Sequence, residues 1–122
     1  MSEEGLVKIL TNTELAQFGD SLLNFAYSIA LTETTSRPKG TKVQDRILAD
    51  AAVKAGLRKH LPRRVGRGEV ANSLEALLGY VWLQKMITLE EIVSCLKTEN
   101  LDPSKNFSVL ADMALSKLRK QS

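Results

Sequence analysis

Asp20, Asn72 and Glu75 are the side chains of this 122-residue sequence best placed to do chemistry together. Asn72 and Glu75 lie three residues apart in Ala71-Asn-Ser-Leu-Glu-Ala-Leu77, so on a helix they share a face. Asp20 interrupts an apolar stripe in Ala16-Gln-Phe-Gly-Asp-Ser-Leu-Leu23, with Gln17 one turn before it on the same side. If the two segments pack, two carboxylates and an amide oxygen converge. Such a hard-oxygen set suits Mg²⁺, which keeps several waters and takes one or two carboxylates. A metal so held activates water and stabilises charge developing on a phosphoryl group. The structural alternative is that Asp20 bonds a backbone group and Glu75 pairs with a lysine. Gly19, next to Asp20, costs a helix about 1 kcal/mol relative to alanine, and such a glycine usually permits close approach of another backbone.

The other reactive side chains stand alone. His60 is the single histidine and falls in a basic stretch, which favours phosphate contact over general-base work. Cys95 is the single cysteine; it allows no internal disulfide and no multi-cysteine zinc site, and its neighbours Ile92, Val93 and Leu96 predict a core thiol. Tyr80 and Trp82 fall at core spacing. Gly66-Arg-Gly68 is too short for a phosphate loop.

The elements that must position these residues read as helices throughout. Residues 13–31 place Leu15, Phe18, Leu22, Phe25, Ala26 and Ile29 on one buried stripe, with Asn12 or Thr13 as the cap. Thr34 to Gly40 is turn chemistry that ends this helix. A second helix is expected over 42–55, stopped by Gly56, and a basic connection follows over 57–68. A third is expected over 69–85, apolar at Val70, Leu74, Leu77, Leu78, Val81 and Trp82. Thr88 and Glu91 form a capping box for a fourth, 89–98, and Asp102-Pro103 opens a last one, 103–120. No period-two strand pattern stands out, so residues 1–122 are expected to form a single all-α domain. No apolar run reaches membrane-spanning length, and the acidic start lacks a signal core, which points to a cytoplasmic protein.

The net charge of +3 conceals a strong asymmetry. Residues 37–67 carry ten lysines and arginines against Asp45 and Asp50, a local charge of +8, while the remainder sums to −5. A basic centre in an acidic chain suggests a polyanionic partner.

These segments resemble a known family. Thr13-Glu-Leu-Ala-Gln-Phe-Gly-Asp-Ser-Leu-Leu-Asn-Phe25 resembles the signature helix of the ribonuclease III endonuclease domain. Val43-Gln-Asp-Arg-Ile-Leu-Ala49 with Gly56-Leu57, and Ala71-Asn-Ser-Leu-Glu-Ala-Leu-Leu-Gly-Tyr-Val-Trp-Leu83, are similar to two further blocks of that domain, in the same order. The likeness covers residues 13–98 and is closest to small archaeal members without a double-stranded-RNA-binding domain. It implies a ribonuclease III endonuclease-domain-like helical fold, a homodimer, and Mg²⁺- or Mn²⁺-dependent cleavage of structured or double-stranded RNA. The family holds metal with four acids, at positions that are here Ala16, Asp20, Asn72 and Glu75. Asp20 and Glu75 keep the pattern and are the expected metal ligands, with Asn72 as an assisting catalytic residue. Ala16 and Asn72 replace acids, and Gln17 replaces a phenylalanine that helps lock the family dimer. Arg37, Lys39, Lys42, Lys59, Arg63, Arg64 and Arg67 are the expected RNA-backbone contacts, a role that would make affinity strongly salt-dependent. The two departures leave a second expectation beside the nuclease: a relative of the same fold that binds RNA or a ribonucleoprotein without cutting. A helical protein-interaction module with no RNA role is the third, and it must treat the basic segment as incidental.

Overall fold

Apolar residues occur almost all round the segment Arg67–Leu83, and this decides the architecture. A helix with no polar face must be covered on every side. In the computed structural model, which describes residues 1–97 and 102–121, this helix is central. The elements in chain order are α1 (Glu3–Leu10), α2 (Thr13–Thr35), α3 (Asp45–Lys54), a short 3-10 turn (Leu57–His60), α4 (Arg67–Leu83), α5 (Leu89–Leu96) and α6 (Pro103–Lys120). No strand occurs among the described residues. Helices α1, α2, α3 and α6 all pack on α4, with α2 making the most extensive contact, and α5 closes the bundle against α2 and α6. Leu74, Ala76, Leu77, Leu78 and Val81 of α4 are fully buried, as are Leu23 of α2, Ala51 and Ala52 of α3, and Phe107 and Leu110 of α6. The Phe107 ring packs on Tyr27 with centroids 5.7 Å apart.

Several boundaries depart from the sequence expectation for identifiable reasons. Helix α1 was not expected, although Leu6, Ile9 and Leu10 have the helical spacing; they are buried, and Ser2 caps the helix by accepting the Gly5 N–H at 3.0 Å. Helix α2 runs a turn beyond residue 31, to Thr35, because the Thr34 and Thr35 hydroxyls donate to the carbonyls of Ala30 and Leu31 at 2.9 and 2.7 Å. Helix α3 starts at Asp45 rather than 42, since residues 39–43 are bonded to α2 instead. Phe25, expected in the buried stripe, is 58% exposed. Residue 98, the expected end of α5, lies outside the described residues. Cys95 is buried, and burial raises its thiol pKa, in keeping with a core role.

The caps are as spacing predicts. Thr88 Oγ1 accepts the Glu91 N–H at 3.1 Å, and Glu91 Oε1 accepts the Thr88 N–H at 3.0 Å. Asn12 caps α2 through the Leu15 N–H, and Asp102 caps α6 through the Ser104 N–H. Ser104 in turn donates to Asp50 of α3 and lies 3.1 Å from Lys54 Nζ, tying the start of α6 to α3. Thr88→Ala is expected to lower stability by about 1 kcal/mol, read as a shift in the urea midpoint at unchanged slope.

Candidate functional site

Two glycines let the backbones of α2 and α4 touch. A β-carbon on Gly19 would lie 1.8 Å from the Glu75 carbonyl oxygen, and one on Gly79 would lie 2.9 Å from the Leu15 carbonyl oxygen. The arrangement is reciprocal: on each helix the glycine is one turn beyond the carbonyl that meets the partner's glycine. Phe18 and Trp82 pack beside it, tilted by 40°, with centroids 5.6 Å apart. This crossing brings Asp20, next to Gly19, up to Glu75.

A second device positions the charge around Asp20. Helix α2 carries polar residues at every fourth position: Asp20, Asn24, Ser28 and Thr32. They form one ladder facing the connection to α3. Thr32 Oγ1 accepts the Lys39 N–H at 2.9 Å, Ser28 Oγ accepts the Thr41 N–H at 2.9 Å, and Asn24 Oδ1 accepts the Val43 N–H at 2.8 Å. With Val43 buried below, the strap holds Lys42 so that its Nζ donates to Asp20 Oδ1 at 3.2 Å.

Glu75 is only 3% exposed. Asn72, with its amide oriented to satisfy its neighbours, donates from Nδ2 to Glu75 Oε1 and to the Gly68 carbonyl, both at 3.2 Å. Glu75 Oε2 is buried and receives no hydrogen bond. Burial foremost, then the hydrogen bond with Asp20 and the charges of Asp20 and Asp45, push the Glu75 carboxyl up to about 9. At neutral pH it holds a proton, and Asp20 is the acceptor within reach. The same bond, reinforced by Lys42, keeps the Asp20 carboxyl below the usual range. Lys42 is held more firmly protonated by Asp20. The result is a run of neighbouring side chains from Lys42 through Asp20 and Glu75 to Asn72.

For a divalent ion this arrangement is a poor match. Ala16 offers no donor, Asn72 turns its N–H₂ toward Glu75, and Lys42 already faces Asp20. Among the described residues no three His, Cys, Asp or Glu side chains gather where one ion would reach them. Glu75 Oε2 accepts no hydrogen bond, so it becomes a ligand only when the Glu75 proton is displaced.

Asp20, Asn72 and Glu75 therefore do come together. Two neighbours were missed as part of the site: Lys42 as a partner of Asp20, and Asp45, whose charge reaches Glu75. The four-residue period of the α2 ladder was the signal for the first. The basic residues divide. Arg37, Lys39, Lys59, Arg63, Arg64 and Arg67 are exposed, and Lys42 is exposed but paired with Asp20. Arg58 braces the connection before α4, donating to the carbonyls of Pro62 and Arg63 at 3.1 and 2.7 Å. His60 Nδ1 lies 2.7 Å from Glu3 Oε2, so it joins the 3-10 turn to α1 and takes no part in the acid pair.

No helix among the described residues is long and apolar enough to cross a membrane. A search of curated proteins finds no match to this chain. A family model described as Ribonuclease III matches residues 13–120, a span that includes the glycine crossing, the polar ladder and the acid pair. The chain belongs to the ribonuclease III family.

Proposed function

We propose that this ribonuclease III-family chain binds structured or double-stranded RNA and does not cut it. The family acts on RNA, and the exposed basic residues of segment 37–67 supply the charge that a duplex backbone requires. The observation that carries the loss of cutting is the state of the two substituted positions. Ala16 is a buried methyl group, and Asn72 uses its amide nitrogen to bond Glu75 and Gly68, so neither adds negative charge to the acid pair. Carboxylates supply most of the attraction for Mg²⁺. A homodimer belongs to the same proposal; Phe25 is the large apolar side chain that α2 leaves exposed for a partner.

A second reading is favoured by Glu75 Oε2, buried without a donor beside Asp20. On that reading Asp20 and Glu75 are ligands of Mg²⁺ or Mn²⁺, Asn72 assists, and the chain is a nuclease with a reduced ligand set.

A labelled RNA duplex incubated with Mg²⁺, Mn²⁺ or EDTA, beside the Glu75→Ala protein, separates the two. The expected result is retarded, intact RNA in every lane. Replacing Arg63, Arg64 and Arg67 together by glutamine should then flatten the salt dependence of log K by about three units of slope. Metal-dependent cleavage abolished by Glu75→Ala would establish the nuclease instead. A chain that ignores RNA at moderate salt would be a protein-interaction module.

A further inference from the structure

The two positions that depart from the family's acids open onto a cavity. Ala16 and Asn72 both line a space of about 270 Å³ between the α1–α2 junction, the connection before α4, and α4 itself. Its walls are largely apolar, from Leu10, Ala16, Leu61 and Val65, and Glu69 and Asn72 supply polar groups. The size is just below the ~300 Å³ at which sites for drug-sized ligands begin, which suits one ring system. Arg63 and Arg64 lie in the chain between Pro62 and Val65, both of which line the cavity, and both arginines are exposed. The two Arg58 bonds to the carbonyls of Pro62 and Arg63 fix this stretch of backbone.

The geometry points to a pocket for a single unstacked nucleobase, with its phosphate on Arg63 and Arg64. Apolar walls accept the faces of a flat ring system, and the polar groups at the rim then select among rings. Arginines on the segment that borders the cavity supply the charge a phosphate needs. Glu69 Oε1 accepts the Gly66 N–H at 3.3 Å, which leaves its other oxygen for an amino group of the ligand. Adenine, guanine and cytosine present such a group. Uracil presents a single ring N–H flanked by two carbonyls that a carboxylate repels. The pocket rests on the RNA-binding reading for its biological role, and two sources supply the same chemistry: an unpaired nucleotide within RNA, or a free mononucleotide.

The experiment is an NMR amide titration of the full chain with AMP, GMP, CMP and UMP, run beside binding of fully paired and singly bulged RNA duplexes. Amino-bearing mononucleotides should shift the Ala16, Val65 and Asn72 amides, and UMP should bind at least tenfold more weakly. Ala16→Leu fills the cavity and should weaken mononucleotide binding at least tenfold with amide dispersion retained; Val65→Phe provides a second block from the loop side. A bulged duplex bound at least fivefold more tightly than a paired one, with the gain lost in Ala16→Leu, assigns the pocket to unpaired RNA. Mononucleotide binding with equal affinity for both duplexes assigns it to the free nucleotide. No mononucleotide shifts and no bulge preference overturn the pocket, while paired-duplex binding in that result leaves the RNA-binding reading standing. No RNA binding together with no mononucleotide shifts overturns both, while mononucleotide shifts without any RNA binding overturn only the RNA-binding reading.

Discussion

Gly19→Ala is expected to abolish the native state or bring it to the edge of unfolding. The added methyl would lie 1.8 Å from the carbonyl oxygen of Glu75 and 2.5 Å from its carbonyl carbon, and both atoms belong to the backbone of the central helix. No side-chain rotation relieves that contact, so α2 and α4 must move apart and open the core on both sides of the crossing. Overpacking commonly costs about 1–3 kcal/mol, and a forced separation of two main chains belongs above that range, at about 4 kcal/mol or more. Such a loss is a large share of the stability of an ordinary domain. Gly79→Ala, at 2.9 Å from the Leu15 carbonyl oxygen, should cost less. Gly68→Ala meets nothing within 4 Å in the first turn of α4 and should gain about 0.5–1 kcal/mol. Thermal unfolding followed by circular dichroism gives the ranking. A Gly19→Ala protein that melts within a few degrees of the parent would show that the helices do not meet as described.

Glu75→Gln is expected to stabilise the protein at neutral pH and to change how stability depends on pH. In the unfolded chain Glu75 ionises near its ordinary value of 4.5, whereas in the folded chain it keeps its proton to about 9. Below 4.5 both states are protonated and the residue costs nothing by this route. Between the two values the folded state binds the extra proton, so stability falls as pH rises, by up to about 1.4 kcal/mol per unit. The accumulated cost at pH 7 is about 3 kcal/mol on that scale. Asp20 acts in the opposite sense, because its lowered value gives stability that is lost as pH falls below the ordinary 3.8, outside this window. Glutamine has nearly the shape of a protonated glutamate, can still accept from Asn72, and can donate to Asp20. Urea unfolding of both proteins at several pH values from 5 to 8 should show a difference that widens with pH. A constant difference would mean that Glu75 is ionised in the folded state.

Most of the fold was legible because the signals were local. The Thr88–Glu91 box, the Asn12 and Asp102 caps and the nearly continuous apolar run of α4 each rest on residues within a few positions of one another. Gly19 was readable as a close approach, although its partner, the Glu75 carbonyl, was not. Phe25 misled because helical spacing identifies a stripe without fixing its edges, and at this edge nothing packs over the ring. The role of Lys42 was hidden for a different reason. Residues 41–43 had the composition of a helix start, but side chains on α2 compete for their N–H groups and hold them extended. That competition is tertiary, and no window around Lys42 contains it. The convergence of Asp20, Asn72 and Glu75 was expected, whereas the proton retained by Glu75 depends on burial.

The strap bonded to the α2 ladder makes Lys42 a tethered competitor for Asp20. An intramolecular partner on a short linker acts at an effective concentration of about the millimolar range, whatever the concentration of protein. A free cation of similar affinity for the carboxylate competes on even terms only near that concentration. The Lys42 side chain is itself two-thirds exposed and free to swing, but the three backbone rungs to Thr32, Ser28 and Asn24 return its ammonium to the same acid each time.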